Sequence, residues 1–250
     1  MSMFDGNVFS NALGMIVSLT VILPAGSKYG TPDGDMPVLT LLHGLSDNRS
    51  AWVRRTKVDL YAEQAGLAVV IPEVQRSFYT DMAYGLDYYT YVSEELPRLC
   101  RQMFRLSDRR EDNFVAGLSM GGYGALKLAF QHPERYAAAA CFSGAVDAQS
   151  RYDLLPEKER ISINKDRLAD DCNLFLLAEG LKEKGPAPRL YMTCGRSDFM
   201  YEDNQRFHHH MESLGIEHTY EEWDGGHDWF FWDESIRRAI PFLLEEKNAD

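Results

Sequence analysis

Three residues far apart in the chain, Ser119, Asp198 and His227, are of the types that turn a weak hydroxyl into a nucleophile. A serine hydroxyl at neutral pH needs a positioned base, and that base needs an acid to orient it. Ser119 is the centre of Gly117-Leu118-Ser119-Met120-Gly121, followed at once by Gly122-Tyr123-Gly124. Glycines two positions either side leave room for a turn so tight that larger side chains would strike the neighbouring strand and helix. The spacing is not G-x-G-x-x-G and no G-K-[ST] follows, so no pyrophosphate cradle can form here. Asp198 closes Gly195-Arg196-Ser197-Asp198, and His227 lies in Gly225-Gly226-His227-Asp228.

The elements around these residues must bring them together. Asn113-Phe114-Val115-Ala116 reads as a short buried strand before the glycine-serine turn, and Tyr123 to His132 as a helix after it, stopped before Pro133. A G-x-S-x-G between strand and helix is the nucleophile elbow of α/β-hydrolases, where the chain order is Ser, then Asp or Glu, then His. Leu190 to Cys194 reads as a strand that delivers Asp198, and Glu217 to Trp223 as one that delivers His227. All three groups then leave the carboxyl ends of strands. Phe4–Leu13 and Met15–Leu23 read as an antiparallel pair, followed by a glycine-rich loop over Gly26–Met36. Pro37–Leu42, Leu67–Ile71 and Tyr136–Phe142 read as further strands. A helix is expected over Val53–Gln64, a second from Asp87 to Phe104 kinked or broken at Pro97, then Glu202–Leu214 and Phe230–Glu245. Apolar strands without alternation, separated by helices, imply a mostly parallel sheet covered on both faces. The polar, irregular stretch 146–188, with one helix near Asp171–Lys184, reads as a small cap-like insertion. Residues 1–250 are therefore expected to form one α/β-hydrolase domain.

The loop His43-Gly44-Leu45 follows a strand where α/β-hydrolases supply an oxyanion-hole amide. Leu45 N–H and Met120 N–H are the expected donors, with His43 packing beneath the loop. Asp224 and Asp228 flank His227 too closely to face its ring, and Asp203 is expected at the surface or as a cap. Consecutive His208, His209 and His210 fan out around a helix and cannot form the i,i+4 pair that binds zinc, so a solvated face is expected. Trp52, Phe78, Tyr79, Met82 and Trp229 are candidates for the substrate pocket wall.

Composition narrows the partners. With 26 basic and 38 acidic residues in 250, the net charge is -12. Such a chain repels phosphate backbones and anionic surfaces, so neither nucleic acid nor membrane is an expected partner. No apolar run approaches membrane-spanning length, and no leader pattern opens the chain. Cys100, Cys141, Cys172 and Cys194 show neither C-x-x-C pairing nor zinc spacing; buried structural thiols in a reducing cytoplasm are expected, with no metal and no cofactor.

Taken together, His43-Gly44-Leu45-Ser46-Asp47-Asn48, Tyr79-Thr80-Asp81, Tyr84-Gly85-Leu86-Asp87-Tyr88-Tyr89, Glu94-Glu95-Leu96-Pro97, Gly117-Leu118-Ser119-Met120-Gly121-Gly122 and Gly226-His227-Asp228-Trp229 with Trp232 resemble the esterase D group of α/β-hydrolases. The nearest branch is that of small bacterial tributyrin esterases. The resemblance implies a metal-independent serine carboxylesterase acting on short acyl esters, often as a homo-oligomer, with Ser119, Asp198 and His227 as its triad. S-formylglutathione hydrolases belong to the same group. Their elbow usually reads G-H-S-M-G-G and their oxyanion strand ends S-G-L-T-C, where this chain has Gly117-Leu118-Ser119 and His43-Gly44-Leu45-Ser46. An acetyl-sugar or feruloyl esterase, an acyltransferase, and a scaffold used only for binding are the alternatives.

Overall fold

The structure, a computed structural model, describes residues 1–24, 35–164 and 169–245. The glycine-rich loop expected over Gly26–Met36 lies almost wholly outside these residues. Eight strands make one sheet: β1 (Ser2–Ser10), β2 (Met15–Leu23), β3 (Val38–Leu42), β4 (Ala68–Pro72), β5 (Asn113–Leu118), β6 (Ala138–Phe142), β7 (Arg189–Gly195) and β8 (Thr219–Trp223), in the order β1-β2-β4-β3-β5-β6-β7-β8. β1 and β2 pair antiparallel, as do β2 and β4; every other pairing is parallel. This is the expected α/β fold.

The central strands are apolar throughout because both faces are covered. Leu42, Val70, Val115, Ala139 and Met192 face one core; Leu39, Leu41, Val69, Ile71, Ala116 and Ala140 face the other. The second face is closed by Trp52 from α1 (Ala51–Arg55), by Val58 and Ala62 from α2 (Val58–Ala65), and by the C-terminal helix. The helix expected over Val53–Gln64 is thus two, broken near Thr56, whose hydroxyl accepts the Val58 amide.

Pro97 does not break its helix. α3 (Tyr88–Thr90) passes through a π-helical turn, Tyr91–Glu95, into α4 (Leu96–Met103). Proline has no N–H and its ring crowds the carbonyl four residues back. The wider turn relieves that crowding, and the Ser93 carbonyl left without a helical donor accepts from Arg135 Nη1 at 2.9 Å. Just before Pro97, Glu95 is buried and holds the turn between β1 and β2. Its carboxylate accepts from the Ser10 hydroxyl, from Asn11 N at 2.8 Å and from Ala12 N at 3.2 Å.

After β5 comes α5 (Met120–Gln131), almost entirely buried. The insertion between β6 and β7 carries more helix than expected: α6 (Ala148–Asp153), α7 (Glu157–Asn164) and α8 (Leu174–Glu179). Within the single helix expected over Asp171–Lys184, only α8 is α-helical, with a 3₁₀ turn on either side. The end of α7 is tied to the aromatic loop before α3, since Ala83 N donates to Ile163 O at 2.8 Å and Tyr84 N to Ser162 O at 3.0 Å. α9 (Tyr201–Ser213) and α10 (Trp229–Leu244) complete the fold. Among the described residues, no helix is long and apolar enough to cross a membrane.

Candidate active site

Ser119 sits between β5 and α5 with φ 53° and ψ -118°, a strained backbone that a tight strand-to-helix turn enforces. Glycine is required around it. A Cβ on Gly117 would lie 2.3 Å from the Gly121 carbonyl oxygen, and one on Gly121 would lie 2.4 Å from that of Leu42. The turn is anchored at both ends: Ser119 N donates to Phe142 O at 2.9 Å, and its carbonyl accepts from Ala145 N at 3.0 Å.

Asp198 and His227 come from the loops leaving β7 and β8, and these loops are bonded to each other. Arg196 N donates to Trp223 O and Ser197 N to Gly225 O, both at 3.0 Å. Together they hold the two side chains in register. His227 Nδ1 is 3.0 Å from both Asp198 carboxylate oxygens, and His227 Nε2 is 3.0 Å from Ser119 Oγ. With the ring proton on Nδ1, facing the carboxylate, Nε2 accepts from the serine hydroxyl. The Asp198 side chain is fully buried and also accepts from Met200 N at 2.8 Å. This arrangement can draw a proton from a hydroxyl as it attacks a carbonyl and return it to a leaving group.

The flanking carboxylates are otherwise engaged. Asp228 caps α10 by accepting from Phe230 N and Phe231 N, and exposed Asp224 faces Arg196. Asp203 differs from expectation: it is largely buried, bonded to Arg151 and Arg206.

Aromatic rings fix the imidazole from two sides. Phe199 lies 4.4 Å from it between centroids, and Trp232 meets it edge-on at 4.9 Å. Trp232 is itself held, donating from Nε1 to Ser143 Oγ at 3.2 Å. His43 is fully buried, with Nδ1 2.8 Å from Gly44 O and Nε2 accepting from Val74 N at 3.1 Å. Those contacts hold a buried ring that supports the loop carrying Leu45.

A cavity of about 580 Å³ opens over Ser119 and His227 and is lined by Leu45 and Met120. Of the five side chains expected on its wall, Phe78 and Trp229 line it, and the other three need correcting. Trp52 lies beneath, fully buried, with Nε1 donating to Leu42 O and its ring edge-on to Trp229. Tyr79 is also fully buried, donating to His43 O at 2.9 Å. Met82 lines a separate surface cavity with Gln75 and Arg76. The wall instead uses Asp47, Arg151, Leu154, Leu155, Phe199 and Met200. Phe199 and Met200 directly follow Asp198, and that adjacency was the available signal; Arg151, Leu154 and Leu155 belong to the insertion and carry no motif. Burial pushes the Asp47 carboxyl above the usual carboxylate range, against the opposing pull of His43, Gly44 N–H, Arg55 and His227.

The three consecutive histidines do not present one solvated face. His208 stacks on Tyr220 and meets His218 at 2.7 Å, His210 contacts Phe175 O, and His209 is exposed. Among the described residues, no group of three or more His, Cys, Asp or Glu side chains could hold a metal ion.

The Esterase family model matches residues 10–243. An acetyl esterase of Caldicellulosiruptor saccharolyticus is 30% identical over 261 residues, covering 97% of this chain and 98% of the relative. The substrate-bound structure of the fluorophosphonate-binding serine hydrolase F of Staphylococcus aureus superposes with a TM-score of 0.91 at 34% identity, covering 98% of this chain and 99% of that one. The apoenzyme of an S-formylglutathione hydrolase from the same organism gives 0.87 at 35%, with the same coverage. The chain belongs to the Esterase family, and it is a carboxylic ester hydrolase.

Proposed function

We propose that the protein is a serine esterase of short-chain acyl esters, working through an acyl-enzyme on Ser119. The observation that carries this reading is the unbroken line of 3.0 Å contacts from Ser119 Oγ through His227 to Asp198. Ser119 attacks the ester carbonyl as His227 Nε2 takes its proton, and the Asp198 carboxylate holds the ring tautomer and balances the imidazolium. Leu45 N–H and Met120 N–H, both at the cavity, hold the oxyanion; one such donor contributes about 3 kcal/mol to the transition state. The alcohol leaves with the proton from His227, and water then releases the acid by the reverse steps. Because Nε2 must be unprotonated to act as the base, turnover falls at low pH.

Residues 1–250 act in this reading as one domain, with the 146–188 insertion supplying part of the cavity wall through Arg151, Leu154 and Leu155. The sequence motifs favour the tributyrin-esterase branch. The test is a panel of p-nitrophenyl esters from acetate to octanoate, with methyl ferulate, an acetylated sugar and S-formylglutathione. kcat/KM should fall steeply beyond butyrate; a preference for octanoate or ferulate would refute the short-acyl assignment. A second reading, an S-formylglutathione hydrolase, is favoured by Arg151 on the wall, whose guanidinium can meet a carboxylate in the leaving group. A dominant rate with S-formylglutathione in the same panel selects it.

A further inference from the structure

Away from the esterase site, the helix that follows Ser119 carries a buried lysine. Lys127 of α5 is 2% exposed, and among the described residues no carboxylate pairs with it. Its Nζ donates to Tyr79 O at 3.0 Å, lies 3.4 Å from Thr80 Oγ1, and stands 4.4 Å over the Tyr89 ring. It also lies 3.3 Å from Cys172 Sγ. The chemistry of a buried amine with no carboxylate beside it is set by what touches it.

Cys172 is also 2% exposed, yet it lines a cavity of about 250 Å³ with Asp147, Gln149, Asp170, Asn173 and Phe175. That space is many times what a water-sized molecule needs. Peroxide can therefore enter the space beside this residue. Burial pushes the thiols of Cys100 and Cys141 up to about 12 and that of Cys194 upward as well, and none of the three has a lysine against it among the described residues. Buried, unassisted thiols of that kind are inert.

We propose that Cys172 is a peroxide-oxidised site whose sulfenic acid is captured by the Lys127 amine. As the thiol proton passes to the Lys127 nitrogen, the sulfur attacks one oxygen of hydrogen peroxide and the O–O bond breaks. The departing hydroxide takes a proton from the ammonium and leaves as water. Cys172 is then a sulfenic acid beside an uncharged amine. The amine nitrogen attacks that sulfur, an S–N bond forms, the S–O bond breaks, and the hydroxyl leaves as a second water with one amine proton. One peroxide is reduced, and the thiol and amine together lose two hydrogens. Sulfenic acids are known to condense with nitrogen in this way, and a thiol reductant reverses the product. The link joins α5 to the 3₁₀ turn Asp170–Cys172 of the insertion.

The experiment treats the full-length protein with hydrogen peroxide, digests it without reductant and maps peptides by mass spectrometry. A linked pair of Lys127 and Cys172 peptides, lighter than their sum by two hydrogen atoms and separated by dithiothreitol, is the expected result. A linked pair retaining one oxygen, which consumes a second peroxide, also supports capture. Lys127→Gln should lose the link and show dimedone-trapped sulfenic acid at Cys172; with dimedone present from the start, the wild-type chain should show the same adduct in place of the link. Cys172 oxidised to sulfinic acid with Lys127 unmodified, oxidation at another cysteine first, or no oxidation at all would each overturn the proposal.

Discussion

Gly195 and Gly225 approach so closely that a Cβ on Gly195 would fall 2.3 Å from the Gly225 carbonyl oxygen. This contact welds the exit of β7 to the exit of β8, and Asp198 and His227 stand on either side of it. Gly195→Ala should therefore part the acid from the base while leaving the Ser119 turn untouched. The expected outcome is a loss of more than about 2 kcal/mol in stability from overpacking against backbone. A fall in kcat on the order of 100-fold accompanies it, as expected for a small misplacement of reacting groups. Denaturant melts and initial rates on p-nitrophenyl acetate check both.

Asp198→Asn keeps the shape and removes the charge. Its amide cannot stabilise the imidazolium and favours the wrong ring tautomer, so kcat should drop about 10⁴-fold with KM nearly unchanged. A drop of only a few-fold would assign the orienting role to another group.

Two carboxyls should give opposite pH signatures in stability. Burial pushes Glu95 up, but the Ser10 hydroxyl and the amides of Asn11 and Ala12 outweigh it and leave the carboxyl below its usual range. A depressed carboxyl contributes stability that is present above its unfolded value and lost as pH falls. Glu95→Gln should cost about 2 kcal/mol at pH 7, the scale of hydrogen bonds to a charged acceptor. The deficit relative to the parent should shrink as the solution is acidified below the ordinary glutamate range.

Asp47 is the reverse case, its carboxyl raised chiefly by burial. A raised carboxyl weakens the fold once ionised, so Asp47→Asn should be more stable than the parent at pH 7, with the gain vanishing as pH falls below the ordinary aspartate range. Thermal melts of the pair across pH 3 to 8 measure it; a constant difference would deny the burial effect.

The sheet and the Ser119–His227–Asp198 meeting could be read from the chain because each depends on a short local signal at the end of an apolar strand. The cavity wall could not. Trp52 and Tyr79 lie near the relevant motifs, but their Nε1 and hydroxyl groups find buried backbone carbonyls, at Leu42 and His43, that only the tertiary fold brings close. Arg151 reaches the cavity from α6, a short and polar helix of the insertion, and its partner Asp203 stands on α9. The Ser93 carbonyl in the π turn before Pro97 finds its donor in Arg135, which no local pattern links to it.

In the proposed mechanism the Ser119 hydroxyl, 3.0 Å from His227 Nε2, is the attacking group. The direct measurement is the turnover of p-nitrophenyl butyrate by Ser119→Ala, alongside a melt confirming that the variant is folded. The expected result is a folded protein with kcat lowered about 10⁴-fold or more. A folded variant that keeps its rate to within tenfold would contradict it.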